Sequence, residues 1–123
     1  MLHGLRILIV DDDPTVRGLY ALVLQDAGAA VVSLGCASEA VRLTDLERPD
    51  VIVTDLQMPE RDGIWLLDEM RTRLPSVPVI AVSGHLAEVP SLLDVERLGF
   101  ADVLRKPIGL SELTKTVARA VGR

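Results

Sequence analysis

The 123-residue sequence has a single cysteine, no excess of basic residues and no long apolar run, and each absence excludes a class of protein. Cys36 alone can form neither an intrachain disulfide nor a thiolate metal cluster, which suits a reducing compartment. Thirteen Lys and Arg residues against eighteen Asp and Glu residues give a net charge of −5, which argues against a broad nucleic-acid-binding surface. No apolar stretch approaches the roughly 20 residues of a membrane span, and no secretory hydrophobic region precedes the first acidic residues. We therefore expect a cytoplasmic protein without membrane insertion and without direct nucleic-acid contact.

Repeats, linkers and low-complexity segments are also missing. The composition is 49% hydrophobic and 25% charged, which is typical of a globular chain and far from a disordered one. Because two domains of this total length would each have a small, marginal core, we expect residues 1–123 to form one domain.

Short apolar runs alternate along the chain with longer amphipathic segments. The predicted strands are Arg6–Val10, Ala30–Leu34, Val51–Thr54, Val79–Val82 and Asp102–Arg105. The predicted helices are Pro14–Ala27, Ser38–Glu47, Gly63–Arg73, Pro90–Leu98 and Ser111–Val121. Five such β/α units predict an α/β fold with a doubly wound parallel sheet of five strands and five helices, since crossover connections are short and right-handed.

The first strand runs directly into Asp11, Asp12 and Asp13. Ligands of open α/β sheets bind at the carboxyl ends of the strands, which is where these three carboxylates lie. Unit charges about 4 Å apart repel by roughly 4 kcal/mol at an effective dielectric constant near 20, and a hard cation would offset that repulsion. The alternative is that the acids only cap the following helix, which begins with Pro14. Capping requires a single acid, so the sequence favours a cation site.

Three further polar residues follow other predicted strands. Asp55, Ser83 and Lys106 come directly after the third, fourth and fifth apolar runs. Individually, each has an ordinary explanation as a turn former, a helix cap or a solvated lysine. Because the carboxyl ends of parallel strands meet at one edge, we expect the three to share a pocket with the acidic cluster.

The chain resembles the receiver domain, the phosphoacceptor module of bacterial two-component response regulators. The resemblance rests on the segments ILIVDDDP, VIVTDLQMPERDG, VIAVSG and LRKP, which have the order and spacing of that family. It covers essentially the whole chain. It implies a flavodoxin-like fold, similar to that of chemotaxis regulators, with the strand order 2-1-3-4-5.

The resemblance also implies the roles of individual residues. Asp55 would be the nucleophile that accepts a phosphoryl group. Asp11 and Asp12 would hold Mg²⁺ or Mn²⁺, with Asp12 and Asp55 as direct ligands, Asp11 acting through water and Gln57 contributing its backbone carbonyl.

The remaining implied roles surround the phosphoryl group. Ser83 and Lys106 would each meet a phosphoryl oxygen, and a cis Lys106–Pro107 peptide would direct the lysine inward. Asp13 would serve only as a bystander or helix cap. The partners would be a sensor histidine kinase or a histidine phosphotransfer protein, and an output domain or partner that the sequence does not identify. The chain would catalyse its own phosphorylation and dephosphorylation without being a conventional turnover enzyme.

Some positions depart from the family pattern or allow two interpretations. Val103 stands where receivers usually have Tyr or Phe and has no ring to reorient, so backbone shifts are favoured over the usual aromatic switch. Gln57 and His85 would flank the path of the hydrolytic water, with His85 controlling access more plausibly than acting as a base. Trp65 is expected to be partly buried at the edge of the third helix, with an exposed partner anchor as the alternative. Cys36 is expected to be a small apolar filler.

Two other functions are compatible with parts of the sequence. The segment Asp11–Thr15 fits D-x-D-x-T, the nucleophile loop of haloacid-dehalogenase-type phosphatases, in which Asp11 would be the nucleophile and Asp13 the general acid. No later predicted strand ends in a second acidic pair, the chain lacks the length for cap elements, and Asp55 would have no role. A phosphorylation-independent pseudo-receiver is the second alternative, but such proteins lose the acid pair, the nucleophile or the lysine, and all are present here.

Overall fold

The computed structural model describes residues 1–84 and 97–123, and within them a single parallel sheet organises the chain. The strands are β1 (Arg6–Val10), β2 (Ala30–Leu34), β3 (Val51–Asp55), β4 (Val79–Ser83) and β5 (Asp102–Arg105). They lie in the order β2-β1-β3-β4-β5, and every pairing is parallel. The predicted fold class and strand order are confirmed.

Two strands extend one residue further than the sequence predicted. β3 includes Asp55, which pairs with Val82, and β4 includes Ser83, which pairs with Arg105. The backbone ladder continues through these polar residues, because the Leu56 amide donates to the Val82 carbonyl at 3.0 Å. Both candidate site residues therefore belong to the rigid sheet rather than to a loop.

Four helices are seen in the described ranges, one fewer than the five predicted. They are α1 (Pro14–Asp26), α2 (Ala37–Thr44), α3 (Gly63–Arg73) and α4 (Leu110–Ala120). The predicted helix Pro90–Leu98 lies, apart from its last two residues, outside the described residues, as does His85. The prediction that α2 reaches Glu47 was wrong, since the amides of Leu46 and Glu47 both donate to the Leu43 carbonyl in a closing turn. None of these helices is long and apolar enough to cross a membrane.

The core consists of two apolar layers, one on each face of the sheet. Every residue of β3 and β4 is buried, as expected for central strands of a parallel sheet covered on both faces. One layer packs the sheet against α2 and α3, and the other packs it against α1 and α4. The central strands are thereby held in place from both sides.

The apolar residues of α3 and α4 are not all buried to the same extent. Leu66 is fully buried beside Leu67 and Met70, whereas Ile64 and Leu74, which share a helical spacing with Leu67 and Met70, are only partly buried. The buried stripe of α3 is therefore rotated toward Leu66. In α4, Leu113 and Val117 are buried, whereas Leu110 at the first position is 49% exposed.

Side chains and a glycine mark the ends of α1. The Asp13 carboxylate accepts hydrogen bonds from the amides of Thr15 at 2.9 Å and Val16 at 3.3 Å, and Pro14 occupies the first turn. Gly28 follows the helix with φ +106°, a conformation that favours glycine. Asp13 is therefore the helix cap, as the sequence allowed.

Asp13→Ala should lower the free energy of unfolding by about 1 kcal/mol, because two amides of the first turn lose their acceptor. Asp13→Asn keeps a side-chain oxygen at this position and should retain most of the stability. Urea unfolding followed by circular dichroism measures both changes. Equal losses in the two variants would contradict the capping role.

Candidate functional site

The sheet brings four predicted site residues together at one edge. Asp11 follows β1, Asp55 ends β3, Ser83 ends β4 and Lys106 follows β5. The Lys106 ammonium lies 3.1 Å from Asp55 Oδ2 and 3.4 Å from Asp11 Oδ2. Residues that are far apart in sequence thus form one contact network, as the strand-end argument predicted.

The acidic residues form a compact group of oxygen ligands. Asp11, Asp12 and Asp55 each place one carboxylate oxygen so that all three atoms lie within 4.8 Å of one another. Asp11 is 1% exposed and Asp55 8% exposed, whereas Asp12 is open to solvent. Carboxylate oxygens are the ligands that Mg²⁺ prefers, and one exposed side suits an ion that keeps several waters. The donor set therefore fits a hard divalent cation.

Burial and neighbouring charges shift the pKa values of Asp11 and Lys106. Burial raises the pKa of Asp11, although the Asp13 amide, which donates to Asp11 Oδ1 at 2.9 Å, and the Lys106 charge act in the opposite direction. For Lys106, burial lowers the pKa, but its hydrogen bond to Asp55 and the charges of Asp55 and Asp11 outweigh that effect and leave the pKa raised. Lys106 is therefore a cation at neutral pH, held between two carboxylates.

Ser83 has a buried hydroxyl that forms no hydrogen bond within the described part of the chain. The side chain is 5% exposed and lies one residue beyond the end of the apolar run in β4. A buried polar atom without a partner costs about 1–3 kcal/mol, so native proteins usually retain one for a reason. A ligand oxygen bound at this edge would supply the missing partner.

The loop after β3 is folded tightly against Asp55. The Gln57 amide donates to Asp55 Oδ1 at 3.2 Å, whereas Lys106 contacts Oδ2. Both oxygens of the carboxylate are therefore held. A Cβ atom at Gly63 would lie 2.5 Å from the Asp55 carbonyl oxygen, so only glycine allows α3 to begin this close to the strand end. The structure places the Gln57 amide against Asp55, a contact that the sequence did not predict, and the role of the Gln57 carbonyl stays a prediction.

The structure also shows the surroundings of the other residues singled out in the sequence. The Lys106–Pro107 peptide is cis, as the resemblance implied. Val103 is half-buried and packs against the α2–α3 layer of the core. Trp65 is half-buried, as favoured, with the Arg61 guanidinium 5.2 Å from its ring centroid. Cys36 is also half-buried, and its sulfur lies 3.6 Å from Ser38 Oγ.

Sequence reasoning missed Arg17. Its guanidinium Nη1 donates to the backbone carbonyl of Asp11 at 3.1 Å, so a helix residue reaches back to the acidic loop. A lone arginine in an amphipathic helix is usually solvated, and nothing in the sequence distinguishes this one. Only its position one and a half turns after the acidic cluster could have drawn attention to it.

The described geometry gives Asp13 no place in a phosphatase-type site. Its carboxylate is occupied in capping α1 and lies outside the group of mutually close carboxylates. The residue that shares Lys106 with Asp11 is Asp55, which the phosphatase alternative leaves without a role. The arrangement thus favours the receiver assignment.

Comparison with known proteins gives a consistent result. The sequence model of the response regulator receiver domain matches residues 7–118. The chain is 40% identical over 119 residues to a 14.6 kDa protein from the sodA1 3′ region of Leptolyngbya boryana, covering 94% of this chain and 89% of that protein. It is 37% identical over 116 residues to the regulatory protein AtoC of Escherichia coli, covering 94% of this chain but 25% of that protein. The chain thus spans about a quarter of such longer regulators.

Solved structures show the same likeness. A response regulator receiver domain protein from Clostridium thermocellum superposes with a TM-score of 0.86 at 27% identity, covering 97% of this chain and 95% of that one. NtrX from Brucella abortus superposes with a TM-score of 0.89 at 29% identity, covering 96% of this chain and 27% of that one. With the receiver sequence model matched over residues 7–118 and the acids, serine and lysine gathered at one sheet edge, the chain belongs to the family of response regulator receiver domains.

Proposed function

We propose that residues 1–123 form one receiver domain that acts in the cytoplasm and accepts a phosphoryl group on Asp55 from a histidine kinase or a histidine phosphotransfer protein. The observation that carries this proposal is the contact of 3.1 Å between Lys106 Nζ and Asp55 Oδ2, at the edge where Asp11 and Asp12 gather. A buried carboxylate next to a fixed cation can approach an anionic phosphoryl donor, which an isolated carboxylate would repel.

The reaction is a transfer of the phosphoryl group to an Asp55 oxygen. A new bond forms between that oxygen and phosphorus, the bond from phosphorus to the donor's histidine nitrogen breaks, and the electron pair stays with the nitrogen. Lys106 moves from the carboxylate to a phosphoryl oxygen as a point charge, which needs no bidentate geometry. The unpartnered Ser83 hydroxyl donates to another phosphoryl oxygen.

The same edge is proposed to hold Mg²⁺, or Mn²⁺ in its place. Asp12 and Asp55 would be direct ligands, Asp11 would act through water, and Gln57 would add its backbone carbonyl. When bound, the ion neutralises charge on the phosphoryl oxygens and on the crowded carboxylates. Before the transfer, Lys106 holds the Asp55 carboxylate and is itself held by Asp11.

The product is an acyl phosphate, which reacts with water and therefore marks a transient state. The domain acts on its own side chain and is regenerated by hydrolysis, so it is a switch rather than a turnover enzyme. Phosphorylation can shift a two-state equilibrium only by interacting differently with the two states, and Lys106 and Ser83 are the groups whose partners change. Val103 has no ring to reorient, so we propose that backbone shifts at β4 and β5 carry the signal to a partner or an output domain.

Asp55→Asn should abolish labelling by acetyl phosphate in the presence of Mg²⁺ while leaving the fold intact, because the nucleophile is lost and one buried charge is removed. Borohydride reduction of the acyl phosphate followed by peptide mass mapping locates the labelled residue. Asp68→Asn, which changes an exposed acid on α3, is the matched control and should label normally.

Two outcomes of the mapping would contradict the proposal. Label on the peptide that contains Asp11 would favour the phosphatase alternative. A folded wild-type chain that takes no label, and shows no amide shifts around Asp55 with beryllofluoride and Mg²⁺, would favour the pseudo-receiver.

Asp11→Asn should raise the unfolding free energy of the metal-free protein at neutral pH by about 0.5–2 kcal/mol, as replacements of destabilising site residues often do. Burial raises the pKa of Asp11 above 3.8, so its ionisation at neutral pH favours the unfolded chain. The gain should shrink as the pH falls through that raised pKa toward 3.8, because the carboxyl then becomes protonated in both states.

Urea unfolding between pH 4 and pH 8 measures this difference at each pH. Asp68→Asn, on an exposed helix position, should show little gain and little pH dependence. If Asp11→Asn does not raise the unfolding free energy at neutral pH, or if the increase becomes larger on acidification, the account of the buried carboxylate is contradicted.

A further inference from the structure

We propose that Arg17 is a positioning residue for the divalent cation, which it serves by holding the peptide that carries Asp12. This inference rests on the proposed function, because it assumes that Asp12 is a ligand. Arg17 lies on α1, is half-buried, and contacts the acidic loop through the backbone rather than through a carboxylate.

The hydrogen bond fixes the plane of one peptide. Arg17 Nη1 lies 3.1 Å from the carbonyl oxygen of Asp11, which belongs to the peptide that joins Asp11 to Asp12. On its other side, the Asp11 amide donates to the Leu34 carbonyl at 3.1 Å. The rotation of the Asp11–Asp12 peptide decides in which direction the Asp12 side chain leaves the backbone.

The direction of the Asp12 carboxylate depends on the backbone more than the directions of the Asp11 and Asp13 carboxylates do. The Asp11 carboxylate is held by the Asp13 amide and by Lys106, and the Asp13 carboxylate is held by the first turn of α1. The exposed carboxylate of Asp12 accepts no side-chain hydrogen bond from residues 1–84 or 97–123, although one of its oxygens lies within 4.8 Å of those of Asp11 and Asp55. Its direction therefore has to come from the peptide that Arg17 holds.

Gly35 lies next to the guanidinium of Arg17 and leaves room for it. A Cβ atom at Gly35 would lie 3.3 Å from Arg17 Nη1 and 3.7 Å from its Cζ, so the guanidinium packs directly against the loop after β2. Gly35 does not have a positive φ, so alanine fits its backbone conformation. The absence of a side chain at position 35 leaves room for Arg17 to reach Asp11.

A charge effect and a positioning effect of Arg17 predict opposite changes in Mg²⁺ affinity when Arg17 is removed. If Arg17 acted only through its positive charge, removing it would strengthen the binding of a cation nearby. If Arg17 positions Asp12, removing it weakens binding. Residues that orient metal ligands typically contribute a factor of about 10–100 in affinity.

The experiment is a titration of the full chain with Mg²⁺ at constant ionic strength. Binding is monitored through the amide shifts of Asp12 and Asp13 in nitrogen–proton correlation spectra. Arg17→Ala should weaken Mg²⁺ binding by about tenfold or more. Arg17→Lys, which keeps the charge and one donor, should recover part of the loss. Arg42→Ala removes an exposed charge from α2 and should leave the affinity unchanged.

Gly35→Ala provides a second variant in which every charge is kept. The added methyl group would displace the guanidinium by a few tenths of an ångström without removing it, so Mg²⁺ binding should weaken by roughly threefold, less than the loss expected when Arg17 is removed. In the Arg17→Ala background the same change should have no effect. An Mg²⁺ affinity that is unchanged or stronger in Arg17→Ala would overturn the proposal, even if the thermal midpoint of that variant falls. Equal effects of Gly35→Ala on Mg²⁺ affinity in both backgrounds would also overturn it.

Failure of this inference is distinguishable from failure of the proposed function. Asp12→Ala should weaken Mg²⁺ binding strongly whether or not Arg17 matters. A wild-type chain that binds no Mg²⁺, or an Asp12→Ala variant that binds it normally, would contradict the ligand assignment itself. Loss of binding in Asp12→Ala with none in Arg17→Ala would contradict the role of Arg17 alone.

Discussion

The contact of Lys106 with two buried carboxylates is the interaction on which the rest of the site depends. Without a cation, Asp11 and Asp55 would face each other at the sheet edge with little solvent to screen them. Lys106, with 27% of its side chain exposed, lies within 3.4 Å of both. In the metal-free domain, the two carboxylates are thereby held together by the same ammonium that would later meet a phosphoryl group.

The fold explains how such a cluster can be maintained. β3 and β4 are buried along their whole length, and layers of helices pack on both faces of the sheet. The apolar packing offsets the cost of the charged edge, which native proteins tolerate mainly at functional sites. Asp55 and Ser83 sit on the last rungs of the ladder, so their backbones are fixed before any ligand arrives. A rigid scaffold of this kind supports the precise placement that phosphoryl transfer requires.

Much of this arrangement could be predicted from the sequence, because strand ends in a parallel sheet converge. The apolar runs predicted the positions of all five strands. The polar residues that directly follow four of these runs are Asp11, Asp55, Ser83 and Lys106, which the sheet brings to one edge. The helix ends and the exact buried face of α3 could not be predicted, since they depend on closing turns and on the packing of Leu66. Arg17 and the close approach at Gly63 were missed for a related reason. Their roles come from contacts with backbone atoms, which leave no pattern of residue types in the sequence.

The most direct test of the central claim is a crystal structure of the domain with Mg²⁺ and beryllofluoride, a mimic of the phosphoryl group. The account predicts beryllium bound to an Asp55 oxygen, with Lys106 Nζ and Ser83 Oγ each contacting a fluorine and the cation held among Asp11, Asp12 and Asp55. A beryllofluoride group on Asp11, or one on Asp55 with Lys106 still paired to the carboxylates and Ser83 still without a partner, would contradict it.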